Sequence, residues 1–295
     1  MKKKKGGKLI YKGSHVCLFT PEIPCKKTKK ISKNSKKRLS KIIFSKRKYK
    51  INRENVLNKK IKLIHNYSKS FIIFDTFCKS KDFDDIYNYD KDILDCVKNS
   101  KVDDFNKYSY MLQGNLGGIS FDDYIYNNFH HNINDKLFLK LMNMILPLFE
   151  GLIILKKNNI IHDDIKLQNI VLDENEKVFK YIDFGLSAHS SDFKFFKARS
   201  KSEFNTYRYY KSYSPEYLYY FQNNKDLKNE LNEINNEKFR KGYDDLIDLF
   251  KIYNQDFNQI IKLTIHNCVT NKKKLNKKKL IELIDVYSLG ILIPL

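Results

Sequence analysis

Apolar residues recur along this chain in two rhythms, and the change from one to the other falls near residue 114. Before it, short apolar runs bounded by turn residues predict strands. Residues 8–24 give two strand pieces, Lys8 to Tyr11 and Val16 to Phe19, with Gly13-Ser14 as the turn. Residues 26–38 are polar and Lys-rich, as a loop would be, and Leu39 to Phe44 is apolar again. A basic stretch with weak helical periodicity runs on to Ile64, and Ser70 to Phe77 and Tyr108 to Gln113 predict buried strands. Gly114, Gly117 and Gly118 then mark a flexible joint.

Beyond the joint the pattern is mainly helical. Leu137, Leu141, Met144, Ile145, Leu148 and Leu152 recur at three- and four-residue steps, with Phe138, Phe149 and Ile153 widening the stripe. The spacing predicts a helix over about 135–157, with Asn134 as N-cap and Asn158-Asn159 at its end. Ile160-Ile161 leads into His162. Ile170 to Leu172 and Val178 to Ile182 then predict two strands around the turn Asp173 to Glu176. Residues 222–280 are polar, with amphipathic stretches and no chemical motif.

Composition narrows the class. The chain has 295 residues, enough for one large domain or two lobes. At 42% apolar, with 21 Phe and 20 Tyr, it has the material for a packed core and is not a disordered chain. No run approaches the roughly 18 uninterrupted apolar residues of a membrane span. No apolar stretch follows Lys2 to Lys5, so neither a secretory signal nor a membrane partner is expected. Cys17, Cys25, Cys78, Cys96 and Cys268 form no C-x-x-C pair. The expectation is five free thiols in a reducing, intracellular compartment.

The net charge of +22 is unevenly placed, because residues 1–50 carry nineteen Lys/Arg against the single acid Glu22. Such a segment fits an acidic protein partner or nucleic acid. The competing reading is a solvated run in a Lys- and Asn-rich chain, since no aromatic residue interleaves with the lysines of 26–37 as a stacking surface requires.

The chemistry concentrates in His162-Asp163-Asp164-Ile165-Lys166-Leu167-Gln168-Asn169. There a carboxylate, an amine and an amide stand at i, i+2 and i+5. Fourteen residues after Asn169 comes Asp183, followed by Phe184-Gly185. Phosphoryl transfer needs oxygen ligands for Mg²⁺, a cation near the transferred phosphate and a base turned towards the attacking hydroxyl. Asp183 and Asn169 suit the metal, Lys166 the phosphate and Asp164 the hydroxyl.

At these residues the chain resembles the eukaryotic-type protein kinases. Residues 162–169 resemble H-R-D-x-K-x-x-N, and 183–185 match D-F-G. Ser214-Pro215-Glu216 resembles the A-P-E element. Ile284 to Gly290 resembles the D-x-x-S-x-G start of the next helix, whose Asp285 would hold the catalytic loop. The resemblance implies an α+β, bilobal fold with ATP held between a small β-rich N-lobe, 1–113, and a larger, mainly helical C-lobe, 114–295. It also implies Mg²⁺ and a protein substrate. Lys166 points, by resemblance, to Ser/Thr acceptors.

The N-terminal half resembles the family more loosely. Gly6-Gly7 to Ile10 and Gly13 to Phe19 resemble the glycine-rich phosphate loop. With Pro21, Ile23, Pro24 and Cys25 they look most like kinase-like proteins of large DNA viruses, for which host cytoplasm or virion would be the setting. Only Gly13 of the three loop glycines is kept, since Tyr11 and Val16 take the other places and limit backbone approach to phosphate. Lys41, a lone cation in an apolar strand, is the candidate phosphate contact, with Glu54 as its helix partner. Met111-Leu112-Gln113 is the expected hinge, whose backbone would meet adenine.

Two departures stand out. Asp163 replaces the Arg that receives an activation-loop phosphate in many kinases, so activation through that contact is not expected. About 68 residues separate Glu216 from Asp285, as an insert over 217–284, and Leu295 falls one or two turns into the next helix. A truncated C-lobe is therefore expected, in which Glu216 lacks its usual Arg unless the insert supplies a partner; either the amphipathic pieces in 236–265 and 274–284 partly cover the exposed core, or the chain is a truncated copy of reduced stability. The leading reading is an ATP- and Mg²⁺-dependent Ser/Thr protein kinase. The alternative is a pseudokinase, a nucleotide-binding interaction module without turnover. A small-molecule phosphotransferase is a weaker third reading.

Overall fold

The computed structural model describes residues 7–13, 16–27, 37–45, 48–88, 90–99, 104–129, 134–205, 212–233, 247, 251 and 255–292. The chain forms two compact units. The first holds Met1–Gly151 with Val171–Gly185, and the second Leu152–Ile170 with Leu186–Leu295. By this division residues 114–151 and 171–185 belong with the first unit, whereas the sequence put everything from 114 on into the second lobe.

The first unit is built on an antiparallel sheet in the order β1-β2-β3-β5-β4. Its strands are β1 (Lys8–Lys12), β2 (Val16–Thr20), β3 (Arg38–Phe44), β4 (Phe74–Lys79) and β5 (Ser109–Asn115). Side chains alternate faces along a strand, so register assigns each residue a side. Leu18 and Leu112 stand opposite Lys41 in β3, on one face. Cys17 and Met111 stand opposite Ile42, on the other.

That second face is covered. Cys17, Phe19, Ile42, Phe44 and Met111 pack with Ile86, Ile93, Cys96 and Phe105 in one buried cluster. The last four come from three short helices, α2 (Phe83–Tyr87), α3 (Ile93–Asn99) and α4 (Phe105–Tyr108). At five, seven and four residues, these helices are too short for helical periodicity to announce them.

The cysteines depart from expectation. Cys17 of β2 is bonded to Cys96 of α3, and Cys25 to Cys78 of β4, while Cys268 alone is free and buried. The partners are 79 and 53 residues apart. Spacing along the chain tests only local pairing, whereas the sheet and its helical cover bring the Cα atoms to 6.3 and 5.9 Å, within bonding range. Four of the five thiols expected to be free are thus paired.

Helix α1 (Lys48–Lys62) carries Glu54, Leu57 and Ile61 inward. After α5 (Phe121–Phe129) comes the longest helix, α6 (Asp135–Lys157). Asn134 caps it, its Oδ1 accepting from Leu137 N at 2.9 Å, and Asn159 ends it with φ 54°. Leu141, Met144, Ile145, Leu148 and Leu155 are buried. Phe138, Leu146, Phe149 and Ile153 form a second apolar stripe that is exposed. By length and composition alone α6 is sufficient to cross a membrane, a test that core helices also pass.

In the second unit, β6 (Ile160–Ile161) pairs antiparallel with β9 (Ala188–His189). The hairpin β7 (Ile170–Asp173) and β8 (Val178–Tyr181) interrupts them in sequence. After α7 (Phe193–Asn205), Ser214 caps α8 (Pro215–Tyr220), with Pro215 in the first turn, where its missing N–H costs nothing. Tyr217 and Leu218 of α8 share a core with Phe257, Ile261 and Ile265 of the helix Phe257–Thr270 (α10), which follows α9 (Asn224–Glu233). Ile281 of α11 (Lys277–Glu282) and Ile284 join it. The described parts of the two amphipathic pieces thus build core, while residues 236–246, 248–250 and 252–254 lie outside the described residues.

Asp285, buried in α12 (Ile284–Leu292), fixes the segment that carries the sequence motif. Its carboxylate accepts from His162 N at 2.6 Å and from Asp163 N at 2.9 Å. Burial raises its pKa, against the pull of His162 and the two N–H bonds. Ser288 one turn on donates to Ser212 O at 2.6 Å.

Two outcomes follow. Thiol titration of denatured, unreduced protein should count one thiol per chain, rising to five after reduction; five before reduction would refute both disulfides. Asp285→Ala should lower unfolding free energy by about 3 kcal/mol in denaturant titration, since it strands two buried N–H donors. A loss near zero would mean that the segment holds itself.

Candidate active site

In the first unit a cleft of about 550 Å³, open to solvent, lies over the Lys41 face of the sheet. Its apolar walls include Leu18, Leu39, Ile72, Ile73 and Ile182, and Lys41 and Asp183 supply its charge. The Lys41 side chain must cross the cleft wall because strand alternation denies it the other face. Its Nζ lies 3.0 and 3.2 Å from the Glu54 oxygens and 2.7 Å from Asp183 Oδ1. Lys41 and Glu54 are both buried, while the Asp183 side chain is 40% exposed.

Burial disfavours the Lys41 ammonium, but Asp183 and Glu54 outweigh it and hold its pKa above the ordinary lysine range. Burial pushes the Glu54 carboxyl up, opposed by Lys41 and reinforced by Asp183. Asp183 takes a left-handed backbone, φ 61°, and its Oδ1 also accepts from Gly185 N at 3.2 Å. Phe184 is buried edge-on to Phe71, which anchors the turn after Asp183. Non-glycine residues seldom adopt such φ values. Here packing and hydrogen bonds impose one where a carboxylate is presented.

The second unit carries a separate constellation. Asn169 Nδ2 donates to Asp164 O at 2.8 Å and to Asp164 Oδ2 at 2.7 Å. Lys166 Nζ stands 3.1 Å from the same oxygen. The 3₁₀ turn Leu167–Asn169 brings i and i+5 together. Asp163, also left-handed at φ 59°, lies in this segment. Its carbonyl accepts from Tyr213 Oη at 2.8 Å. Arg199 of α7 donates to that Oη from Nε and Nη2 at 3.2 and 3.0 Å and stacks over the ring. Burial, with Asp163 adding, keeps the Tyr213 hydroxyl protonated.

The sequence-derived residues divide accordingly. Lys41, Glu54 and Asp183 meet in the first unit, and Asp164, Lys166 and Asn169 meet in the second. Gly13 sits in the β1–β2 turn, its N–H donating to Val16 O at 2.8 Å. A Cβ there would press on Val16 and Tyr11 at 3.1 and 3.2 Å, and those two residues line the cleft.

Met111 and Gln113, from the expected hinge, sit within the sheet. Both lie inside β5, paired to β3 on one side and β4 on the other, so their backbone groups are engaged within the sheet. Their side chains take the covered face: Met111 enters the capped core, and Gln113 Nε2 donates to Ile23 O at 2.6 Å. The cleft is lined by Asn115, the last paired residue of β5, and by Gly117 just beyond it. Alternation from Lys41 turns the Met111 and Gln113 side chains away from the cleft, which follows only once the pairing register is known. Arg199 and Tyr213 carried no sequence signal, because their partnership spans an activation-type segment of no fixed pattern.

The profile described as "Protein kinase domain" matches residues 22–232, which include Lys41, Glu54, Asp164 and Asp183. "Calcium-dependent protein kinase 4" of Plasmodium falciparum (isolate 3D7) is 32% identical over 104 residues, covering 33% of this chain and 19% of that protein. The protein of the same name from Plasmodium berghei (strain Anka) is 31% identical over 104 residues, with the same coverage. The matched stretch thus spans about a fifth of the length of these curated relatives. Neither is viral, so the likeness to viral kinase-like proteins gains no support from them. With most of its length matched and both residue constellations assembled, the chain belongs to the protein kinase domain family.

Proposed function

We propose that this chain is a Ser/Thr protein kinase that transfers the γ-phosphoryl group of ATP to a protein hydroxyl with Mg²⁺. The observation that carries the reading is the buried Lys41 ammonium bonded to both Glu54 and Asp183. A buried cation with two carboxylates is costly to assemble and needs more than stability to explain it.

The residues present fit the implied ligands. Apolar walls of the cleft suit a flat base, and Gly117, just beyond the last paired residue Asn115, stands where the backbone has left the sheet ladder. Lys41 would hold phosphate oxygens, with Glu54 fixing its direction. Asp183 in the first unit and Asn169 in the second are each hard oxygen donors of the kind Mg²⁺ accepts. Among the described residues no group of three His, Cys, Asp or Glu would hold a metal by itself. Bound Mg²⁺ would supply charge neutralisation at the phosphates.

Asp164 would accept the proton of the acceptor hydroxyl as the new O–P bond forms and the bond to the β-phosphate oxygen breaks, releasing ADP. Asn169 holds Asp164 in place, and Lys166 would balance charge on the moving phosphoryl group. Lys166 is also what supports Ser/Thr acceptors, by family likeness. Tyr11 and Val16 in the cleft wall favour the second reading, a nucleotide-binding module without turnover.

Radiolabelled ATP with Mg²⁺ and a panel of acidic and basic proteins tests the proposal. Asp183→Asn and Lys41→Met should each cut incorporation at least about 100-fold. Incorporation equal to wild type would sink it. ATP should also stabilise the wild-type chain, by about 2.7 kcal/mol at a hundred times Kd. Stabilisation without transfer would establish the second reading, and neither effect would exclude both.

A further inference from the structure

α7 presents a row of lysines. Lys194, Lys197 and Lys201 recur at three- and four-residue steps on its exposed side, while Phe196, Ser200 and Phe204 are buried on the other. A second basic run faces it, since residues 272–279 hold six lysines and no acid. The two runs touch. Lys277 Nζ sits 3.9 Å from the centre of the Phe193 ring. Lys272 donates to Gln222 O at 2.8 Å and lies over Tyr220. Burial lowers the Lys272 pKa, and repulsion from Lys197 and Lys201 adds to this.

Counter-charge is scarce there. Glu203 is taken by Arg199 at 3.0 Å, and Glu282 reaches only Lys278, at 3.8 Å. Among the described residues no carboxylate lies within ion-pair distance of Lys194, Lys197, Lys201, Lys272 or Lys277. Lysines that crowd one another without a partner are an electrostatic cost that a bound polyanion removes.

The same helix is tied to the Asp164 segment. Arg199, between Lys197 and Lys201, reaches Asp163 O through Tyr213. We propose that this lysine surface docks an acidic segment of the protein substrate, so that the chain selects hydroxyls flanked by several Asp, Glu or phosphorylated residues. The inference rests on the kinase reading and adds its substrate class. Nucleic acid is the less suited polyanion. The aromatic rings here, Phe193 and Tyr220, are partly buried against the core, and each has a lysine over one face, which leaves little ring surface for base stacking.

The test uses the full chain and two serine peptides that differ only in flanks, one with six Asp/Glu and one with six Gly/Asn. The variants are Lys194→Glu/Lys197→Glu/Lys201→Glu and the same triple to Gln, both at exposed positions away from the catalytic residues. Fluorescence anisotropy without ATP should show the acidic peptide binding at least about 10-fold tighter than the neutral one. That preference should weaken with added salt, diminish in the Gln triple and vanish in the Glu triple. With ATP, the triples should raise KM for the acidic peptide about 10-fold and leave kcat, and the neutral peptide's KM, unchanged.

Equal binding of both peptides, or undiminished preference in folded triples, would overturn the docking surface. So would a single-stranded oligonucleotide of equal charge binding more tightly than the acidic peptide. If neither peptide is phosphorylated while the binding preference stands and depends on the lysines, the kinase reading fails and the acidic-segment surface survives.

Discussion

A buried ammonium between two carboxylates is the constraint around which the first unit is arranged. Lys41 leaves the water only because Glu54 and Asp183 accept its charge, and each of those is useless without the others. Removing one partner from such a group strands a buried charge, typically at a cost of about 3–5 kcal/mol. β3 must therefore keep its register against β2 and β5, α1 must present Glu54, and the turn after β8 must hold Asp183 in a left-handed conformation. Burying Phe184 against Phe71 and bonding Gly185 N to Asp183 meet that last demand.

The second unit solves a matching problem with a different carboxylate. Asp285 takes up the two N–H groups of His162 and Asp163, which would otherwise be buried without acceptors. With that segment fixed, Asn169 can bridge the backbone and side chain of Asp164, and Tyr213 can cap the Asp163 carbonyl. The activation-type segment is thereby bonded to the loop by Tyr213 and Arg199, without a phosphate, which suits an acidic residue at position 163. Ser288 ties Ser212 to the same helix that bears Asp285, so one element restrains both ends of the arrangement.

The first sheet is covered on the face turned away from Lys41. Three short helices and two disulfides close the face opposite the cleft, and Met111 and Gln113 are drawn into that cover. A sheet covered on its second face keeps Cys17 and Phe19 of β2, the strand after the Gly13 turn, anchored. The basic surface of α7 and residues 272–279 belongs to the other unit, where charge left unpaired on helices sits beside the segment bearing Asp164.

What the sequence determined by itself was the local grouping of candidate site residues. Asp164, Lys166 and Asn169 are close in sequence and lie in a turn, so their assembly is local and their spacing is enough to reveal it. The long helix over 135–157 and its Asn134 cap were legible for the same reason, as periodicity and capping act within a few residues. Lys41 was readable because a single cation in an apolar strand demands a partner, and Glu54 followed from it as a candidate. Tertiary structure decided everything that depends on pairing across distance. The disulfides join residues 79 and 53 apart. The face taken by Met111 and Gln113 depends on which strands flank β5, and a one-residue change of register would invert it. The short helices α2 to α4 draw their stability from the sheet they cover, and the lysine surface arises only when two separate basic runs are folded side by side. Local geometry is written in spacing, while register, cross-links and surface charge exist only once distant segments have met.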